Sequence, residues 1–295
     1  MRPPRVIRLL NQHASIQAAL SLLMLLALAE CGIRLLAPGH RYLLPPLAIL
    51  SRLPHAWANG LMSHAAYTVA RALTGFVIAS AFGVVLGVLI GRWKYLRAWT
   101  MPIVDLFRPL PSSAILPVAT LLLGLGEPMY LFVIVFGGVW PILLNTITGV
   151  QYVDSTLRDA VGQMRFGPLA RLWTFVLPEA AAEIAAGLRI SLSVCLILTV
   201  TAELFVGLGK GLGRFMSLAE DGGDYALMYL LVIVIALVGW VLNRGLDAVI
   251  SWVPWTRNQY DSDARIQPEW VERLWNKWRE STREHDQRST ESVQP

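Results

Sequence analysis

The feature that most constrains this chain is its series of long apolar segments. A helix needs about 20 predominantly apolar residues to cross the hydrocarbon core of a bilayer. Helices and closed barrels are the structures that satisfy their own backbone hydrogen bonds inside lipid. The sequence therefore predicts an all-α integral membrane protein with about six transmembrane helices. The predicted spans are residues 16–37, 64–90, 98–123, 128–150, 182–206 and 225–249.

Composition supports a membrane protein over a soluble one. Hydrophobic residues make up 55% of the chain and charged residues only 15%, whereas about a quarter of the residues of soluble domains are charged. The formal net charge of +5 is compatible with nucleic-acid binding. However, the Lys and Arg residues lie between the apolar segments and in the C-terminal tail. We interpret them as a topology signal, and expect lipid and no nucleic acid as a partner.

The third segment, residues 98–123, differs from the others because prolines interrupt it. Pro109, Pro111 and Pro117 lie inside it, and Asp105 and Arg108 lie in its first half. Proline removes a helical hydrogen bond and clashes with the preceding turn. We predict a broken helix whose lipid-crossing part starts near Pro111.

The basic residues between the spans predict the orientation, because cytoplasmic connections carry an excess of Lys and Arg. With the N-terminus inside, the inner connections contain Arg2, Arg5, Arg8, Arg92, Lys94, Arg97, Arg158, Arg165 and Arg171. The outer connections contain Arg41, Arg52, Lys210 and Arg214. Both termini are therefore expected in the cytoplasm.

The N-terminal region also resembles a secretory signal ending at Ala27-Leu28-Ala29, but the apolar run resumes at residues 33–37, which favours a retained span.

Small residues form a regular series in the second span. They recur at steps of four, so they share one ridge of a helix and permit close approach of another backbone. The series comprises Gly75, Ala79, Gly83, Gly87 and Gly91. We predict a helix-packing interface there. Arg71 continues the ridge, and we expect its side chain to snorkel to the interface, whereas Glu30 and Glu203 are expected near helix ends.

Catalytic motifs are lacking. A phosphate-binding loop needs Ser or Thr directly after its Lys, but Gly211 follows Lys210, and we interpret Gly207–Gly211 as a flexible turn. The five His residues lie at positions 13, 40, 55, 64 and 285, which does not match the ligand spacing of a metal site. We expect no enzyme, no bound cofactor and no metal in this chain.

The connection over residues 151–183 is long, polar and helical in pattern. Asp154 and Ser155 suit a helix start, and Gly167-Pro168 breaks the helix and begins another. Leu157, Val161 and Met164 share one face. We predict a docking element at the cytoplasmic surface, with an amphipathic helix on the lipid headgroups as the alternative.

The stretch from Asp159 to Ala180 resembles the coupling motif of binding-protein-dependent ABC permeases. Asp159 takes the place of the usual Glu, Val161 that of the second Ala, and Arg165 that of the usual Gly. Residues 69–76, 107–127, 136–154 and 201–213 resemble the sulfonate, taurine and nitrate branch of that family, most specifically around Pro141 and Asn145. The helical pattern of this connection and the resemblance together predict the coupling role for Asp154, Leu157, Arg158, Asp159, Ala160, Val161, Met164, Arg165, Phe166, Gly167, Leu177 and Pro178.

The resemblance implies a type I importer permease in a bacterial inner membrane. It also implies a permease homodimer or pair, cytoplasmic ATPase subunits that use ATP and Mg, and an extracytoplasmic solute-binding protein. A secondary transporter is the alternative, but such transporters show related halves and buried titratable pairs, which we do not detect. The resemblance leaves the identity of the solute and the residues that contact it open.

Three regions are expected along the chain. Residues 1–63 contain the first span and an extracytoplasmic loop, residues 64–253 form the permease core, and residues 254–295 form a basic cytoplasmic tail. Trp270, Leu274 and Trp278 recur at steps of four in this tail. An interfacial helix, a contact with the ATPase and disorder are all compatible with that pattern.

Overall fold

A computed structural model of the chain describes residues 21, 24, 26–35, 40, 42–151, 167, 170 and 172–252. Residues 26–35 are helical and are named α1. The described residues contain helices and no strand, which confirms the all-α fold. The remaining α-helices are α2 (Pro46–Leu50), α3 (Leu53–Ala58), α4 (Leu61–Arg92), α5 (Lys94–Phe107), α6 (Leu116–Leu123), α7 (Glu127–Gln151), α8 (Leu177–Val206), α9 (Leu212–Asp221) and α10 (Tyr225–Ser251).

Among the described residues, four helical segments are long and apolar enough to cross a membrane. They are α4, α7, α10 and the segment Leu172–Val206, in which one π-helical turn (Leu172–Val176) leads into α8. They confirm the predicted spans 64–90, 128–150, 182–206 and 225–249. The predicted span 16–37 lies partly outside the described residues.

The predicted break in the third span is confirmed. α5 and the segment Ser112–Leu123, a short 3-10 turn followed by α6, meet at a bend of 83°. The expectation that the lipid-crossing part starts near Pro111 needs correction. Ser112 lies beside Gly137, near the middle of α7, while Val104 of α5 packs with Leu143 and Ile147 further along α7. Both arms therefore share the crossing.

α4 and α7 run parallel, in a register that repeats every four residues. A Cβ added at Gly83 would lie 2.8 Å from Ile142, at Gly87 it would lie 2.6 Å from Thr146, and at Gly91 it would lie 2.9 Å from Val150. The residue numbers of the paired positions increase together along α4 and α7, so the two helices run in the same direction. The chain must recross the membrane between them, and α5 with α6 supplies that crossing.

α8 runs antiparallel to α7 and completes the buried centre. A Cβ at Gly149 would meet Ala180 and Glu183, and Ser191 donates a 2.7 Å hydrogen bond to the carbonyl of Gly138. The main core consists of apolar side chains from α4, α6, α7 and α8. α10 returns antiparallel to α8, as the 2.7 Å contact of Arg189 with Asp247 and the 3.3 Å contact of Asn243 with Ser193 indicate.

The helix directions define two ends of the bundle. The Glu127 end gathers the start of α4, the start of α7, and the loop between α8 and α9. The Gln151 end gathers the end of α4, the end of α7, and the end of α10. The connection that follows Gln151 therefore leaves from the same end at which α10 stops.

Candidate functional site

The most deeply buried charges of the described residues lie together at the Glu127 end. Arg71, on the third turn of α4, has a side chain only 7% exposed. Its guanidinium forms ion pairs with Glu203 at the end of α8 and with Glu127 at the start of α7. The expectation that Arg71 snorkels to the interface is wrong, because Arg71 continues the glycine ridge and that ridge faces protein rather than lipid.

Glu203 anchors this arginine cluster, which we define as Arg71, Glu203, Glu127 and Thr68. Glu203 is near its helix end, as expected, but its side chain is fully buried. Its carboxylate accepts hydrogen bonds from Arg71 Nη1 at 2.9 Å, Thr68 Oγ1 at 2.8 Å and the amide of Gly213 at 3.1 Å. A buried carboxylate needs this number of donors to offset the loss of water.

Glu127 completes the arginine cluster in a different environment. Arg71 Nε lies 3.0 Å from Glu127 Oε1 and 2.9 Å from Oε2, and Arg71 Nη2 also contacts Oε1. The Glu127 side chain is nevertheless 56% exposed. The guanidinium also lies over the Tyr130 ring, with Cζ 4.5 Å from the ring centroid, a cation–π geometry.

The glycine-rich loop Gly207–Gly211 wraps around the arginine cluster. The carbonyl of Lys210 accepts a 2.7 Å hydrogen bond from Arg71 Nη1. Gly207 (φ 66°) and Gly209 (φ 70°) have left-handed backbones that favour glycine. A Cβ at Gly211 would collide with the Glu203 carboxylate. The interpretation of this loop as a flexible turn is therefore corrected: its glycines fit it closely against buried charges.

The arginine cluster is suited to binding and to holding helices together. It joins α4, α7 and α8 through charge-assisted hydrogen bonds, and the edge of the guanidinium that holds the exposed Glu127 carboxylate can bind an anion. Among the described residues, no group of three or more His, Cys, Asp or Glu side chains could hold a metal ion.

The predicted glycine ridge lies on the α4 surface that packs against α7. Gly75 faces Ile134, and Ala79 lies 3.3 Å from the position of a Cβ added at Gly138. Gly83, Gly87 and Gly91 meet Ile142, Thr146 and Val150 as described above. A side chain at any of the four glycines would have to displace a neighbour on α7.

Most of the predicted coupling residues lie outside the described residues. These are Asp154, Leu157, Arg158, Asp159, Ala160, Val161, Met164, Arg165 and Phe166. Gly167 is exposed, with open space where a Cβ would project. Leu177 and Pro178 form the first turn of α8, where proline is tolerated because its missing amide has no helical partner. The aromatic positions of the tail also lie outside the described residues.

Further ion pairs of the described residues lie outside the arginine cluster. Arg189 on α8 pairs with Asp247 on α10 at 2.7 Å, with side chains 28% and 45% exposed. Glu30 on α1 pairs with Arg34 at 2.5 Å and accepts a 3.0 Å hydrogen bond from the amide of Leu47 in α2.

Sequence reasoning missed Glu127 and Tyr130 as partners of Arg71, and Thr68 as a partner of Glu203. One signal was available: Arg71 lies four residues before Gly75, on the same helix face, so the ridge that predicts close packing also predicts a buried arginine. A buried arginine requires an acidic partner. The identity of that partner depends on which helix ends meet, and local sequence does not contain that information.

A bundle of apolar crossings with small-residue interfaces and buried charges defines a polytopic membrane protein. Residues 79–254 match the family described as the binding-protein-dependent transport system inner membrane component. The match spans more than half of the chain, and the chain belongs to this family. It is a permease subunit of an ABC importer, as the resemblance implied, and this decides against a secondary transporter.

Individual relatives point to the predicted branch. The chain is 31% identical over 177 residues to the nitrate import permease protein NrtB of Synechocystis, covering 60% of this chain and 64% of the relative. It is 29% identical over 195 residues to the bicarbonate transport system permease protein CmpB of Synechococcus elongatus, covering 66% and 70%. It is 29% identical over 214 residues to the taurine transport system permease protein TauC of Escherichia coli, covering 70% and 78%.

A solved structure shares the fold. The chain resembles one from a structure of the MetNI methionine ABC transporter in inward facing conformations, with a TM-score of 0.60 and 18% identity. The likeness covers 68% of this chain and 98% of the other. It confirms the type I importer permease fold expected from sequence.

Proposed function

We propose that this chain forms the membrane passage for a small solute with an oxyanion group, such as a sulfonate, taurine or nitrate. The family match over residues 79–254 carries the proposal. The named relatives support the solute class, since they serve nitrate, bicarbonate and taurine transport. Each of these solutes presents several oxygen atoms that share a negative charge.

Transport proceeds by alternating access, and separate cytoplasmic ATPase subunits drive it. An extracytoplasmic solute-binding protein delivers the solute, and two copies of this chain form the passage. The Gln151 end faces the cytoplasm, which puts Arg92, Lys94 and Arg97 inside, as basic connections favour. The Glu127 end, with the arginine cluster, then faces the solute-binding protein.

The ATPase docks on the segment over residues 154–168. This segment leaves the bundle at the Gln151 end, directly after α7, and returns into α8 through Leu177 and Pro178. Since α7 is packed tightly against both α4 and α8, a force on the segment would reach the bundle centre through rigid helices.

Uptake by the assembled importer tests the proposed function. The chain is reconstituted into liposomes with its ATPase, and the binding protein is added with labelled taurine, ethanesulfonate or nitrate. We expect uptake that requires both ATP and the binding protein, and no ATP hydrolysis by this chain alone. Uptake driven by an ion gradient without ATP would contradict the proposal.

Two substitutions test the docking segment in the same assay. Asp159→Lys reverses a charge near a helix start, where the helix dipole favours an anion, and Gly167→Val tests whether the predicted turn requires glycine, since a Cβ at Gly167 meets open space. We expect Asp159→Lys to lower uptake and ATP hydrolysis while the bundle remains folded, and Gly167→Val to have the smaller effect. Asp221→Lys, a charge reversal at an exposed position of the opposite end, is the matched control. If all three variants behave like the wild type, residues 154–168 are not the coupling element.

A further inference from the structure

Arg71 presents its guanidinium in two directions. Its inner nitrogen, Nη1, is committed to Glu203 Oε1 at 2.9 Å and to the carbonyl of Lys210 at 2.7 Å. Its outer edge, Nε and Nη2, faces the carboxylate of Glu127 alone among its described acidic partners. This edge is the fork that matches two oxygens of a planar or tetrahedral oxyanion.

Glu127 is held much less firmly than Glu203. It is the first residue of α7, and its side chain is 56% exposed. Arg71 and Glu203 already form a neutral buried pair. Departure of Glu127 into water therefore leaves no uncompensated buried charge, whereas departure of Glu203 would do so.

The outer edge of Arg71 becomes accessible when Glu127 moves away, since with Glu127 in place the Arg71 side chain is only 7% exposed. A Cβ at Gly209 would lie 3.7 Å from Arg71 Nη2, so any larger side chain there would lie over this nitrogen. Lys210 is exposed, and its Nζ lies 5.9 Å from the centroid of the Tyr67 ring, as does Cζ of Arg71. A second positive charge thus stands near the same aromatic ring as the fork.

We propose that the outer edge of Arg71, with Lys210 beside it, binds the oxyanion group of a small solute, and that the Glu127 carboxylate is its resident occupant. The two oxygens of Glu127 stand in for two oxygens of a sulfonate, nitrate or carboxylate. The solute class rests on the proposed function, but the site itself rests on the geometry of this chain.

Binding at this site is weak and reversible. Glu203 neutralises most of the attraction of Arg71 for an anionic solute. Glu127 competes with the solute for Arg71, because its carboxylate is tethered beside the guanidinium. An entry site must release its ligand as readily as it takes it up, because conduction requires binding that is weak enough to leave. Displacement of Glu127 also breaks the ion pair between the first turn of α7 and α4.

Direct binding to the full-length chain in phosphatidylcholine nanodiscs tests the site. The probe is radiolabelled ethanesulfonate in equilibrium dialysis, with unlabelled nitrate as competitor and choline as a cationic control. Glu127→Gln removes the competing anion and should tighten binding about two- to fivefold, the range expected for an exposed ion pair. Lys210→Ala should weaken binding by a similar factor. Glu220→Gln, an equal charge change at an exposed position of the same end, should leave it unchanged.

Arg71→Lys tests whether binding requires the two-pronged guanidinium or only a positive charge. Lysine keeps the charge but offers no bidentate geometry, so ethanesulfonate binding should fall below that of the Lys210→Ala variant. Folding of every variant is checked by its elution on a sizing column. Unchanged affinity in both Glu127→Gln and Lys210→Ala, or saturable binding in no variant, overturns the site. If transport by the assembled importer is intact in that case, the proposed function stands without this site.

Discussion

The α4–α7 contact and the α8–α10 contact belong to one bundle but are built differently. Between α4 and α7, glycines at 75, 83, 87 and 91 bring backbone against side chain at nearly every turn. Between α8 and α10 lies an open groove of about 330 Å³. Ser193, Thr201 and Asn243 contribute polar groups to this groove, and the rest of its lining is apolar. One interface is filled and the other is not.

The ion pairs at the two contacts also differ, because one is buried and the other is partly exposed. Arg71 and Glu203 are almost completely buried at the α4 side of the bundle, whereas Arg189 and Asp247 of the α8–α10 contact are 28% and 45% exposed. A filled interface with buried charges resists sliding, because any shift leaves a clash or an unpaired ion. We infer that α4, α7 and the end of α8 move as one body, and that α10 adjusts more easily.

Loss of the buried pair should give the largest effect. Arg71→Leu leaves Glu203 buried without its cation, which typically costs about 3–5 kcal/mol. Glu127→Gln removes only the exposed partner and should cost about 1 kcal/mol or less. The free energy of unfolding in mixed micelles, from denaturant titration, measures both. A loss in Arg71→Leu no larger than that in Glu127→Gln would mean that the burial of Glu203 carries little energetic weight.

Larger side chains at the α4 glycines should give the second-largest loss of stability. Gly87→Leu forces a side chain against Thr146, whose Cβ would lie 2.6 Å from the new Cβ, and overpacking of this kind typically costs about 1–3 kcal/mol. Gly245→Leu on α10 meets open space and is the matched control. Gly239→Leu should lie between them, because it meets only the flexible end of Leu196 at 3.1 Å. The midpoint of thermal unfolding in detergent measures all three variants.

Equal midpoints for Gly87→Leu and Gly245→Leu would remove the distinction between the two interfaces. Intact stability with lost uptake would instead show that the glycine ridge serves movement rather than packing. Gly83→Leu, opposite Ile142, repeats the test one turn away.

The parts of this fold that could be predicted from sequence depend on short-range patterns. The apolar length of residues 225–249 requires a span, Pro109 and Pro111 require a break, and the spacing of Gly75 to Gly91 requires a packed face. Each of these inferences uses residues that are neighbours along one helix. The same periodicity also predicts that Arg71 is buried. We instead assigned its side chain to the membrane interface, because its position near a helix end resembles that of a snorkelling residue.

The composition of the arginine cluster depends on contacts that are distant in sequence. Glu127 and Glu203 lie 56 and 132 residues from Arg71, and they meet it only because α7 is parallel to α4 and α8 is antiparallel to both. The parallel pairing itself follows from the return crossing of α5 and α6. Local sequence indicates the individual helices, but the register between them is a property of their packing.

Loss of the ion pair between α8 and α10 should give the smallest change in the free energy of unfolding. Arg189 Nε lies 2.7 Å from Asp247 Oδ1, but both groups are partly exposed, and exposed ion pairs contribute about 0–1 kcal/mol. Arg189→Gln and Asp247→Asn should each lower the free energy of unfolding by no more than that amount. A double-mutant cycle isolates the pair from the other contacts of Arg189. We expect a coupling energy below about 1 kcal/mol that shrinks as salt is raised from low to physiological concentration, because salt screens exposed charges. Asp221→Asn, at an exposed position of the opposite end, is the control for loss of one negative charge. A coupling energy as large as the effect of Arg71→Leu, independent of salt, would mean that a second protein surface covers this pair in the membrane and that the α8–α10 contact is as firmly held as the α4–α7 contact.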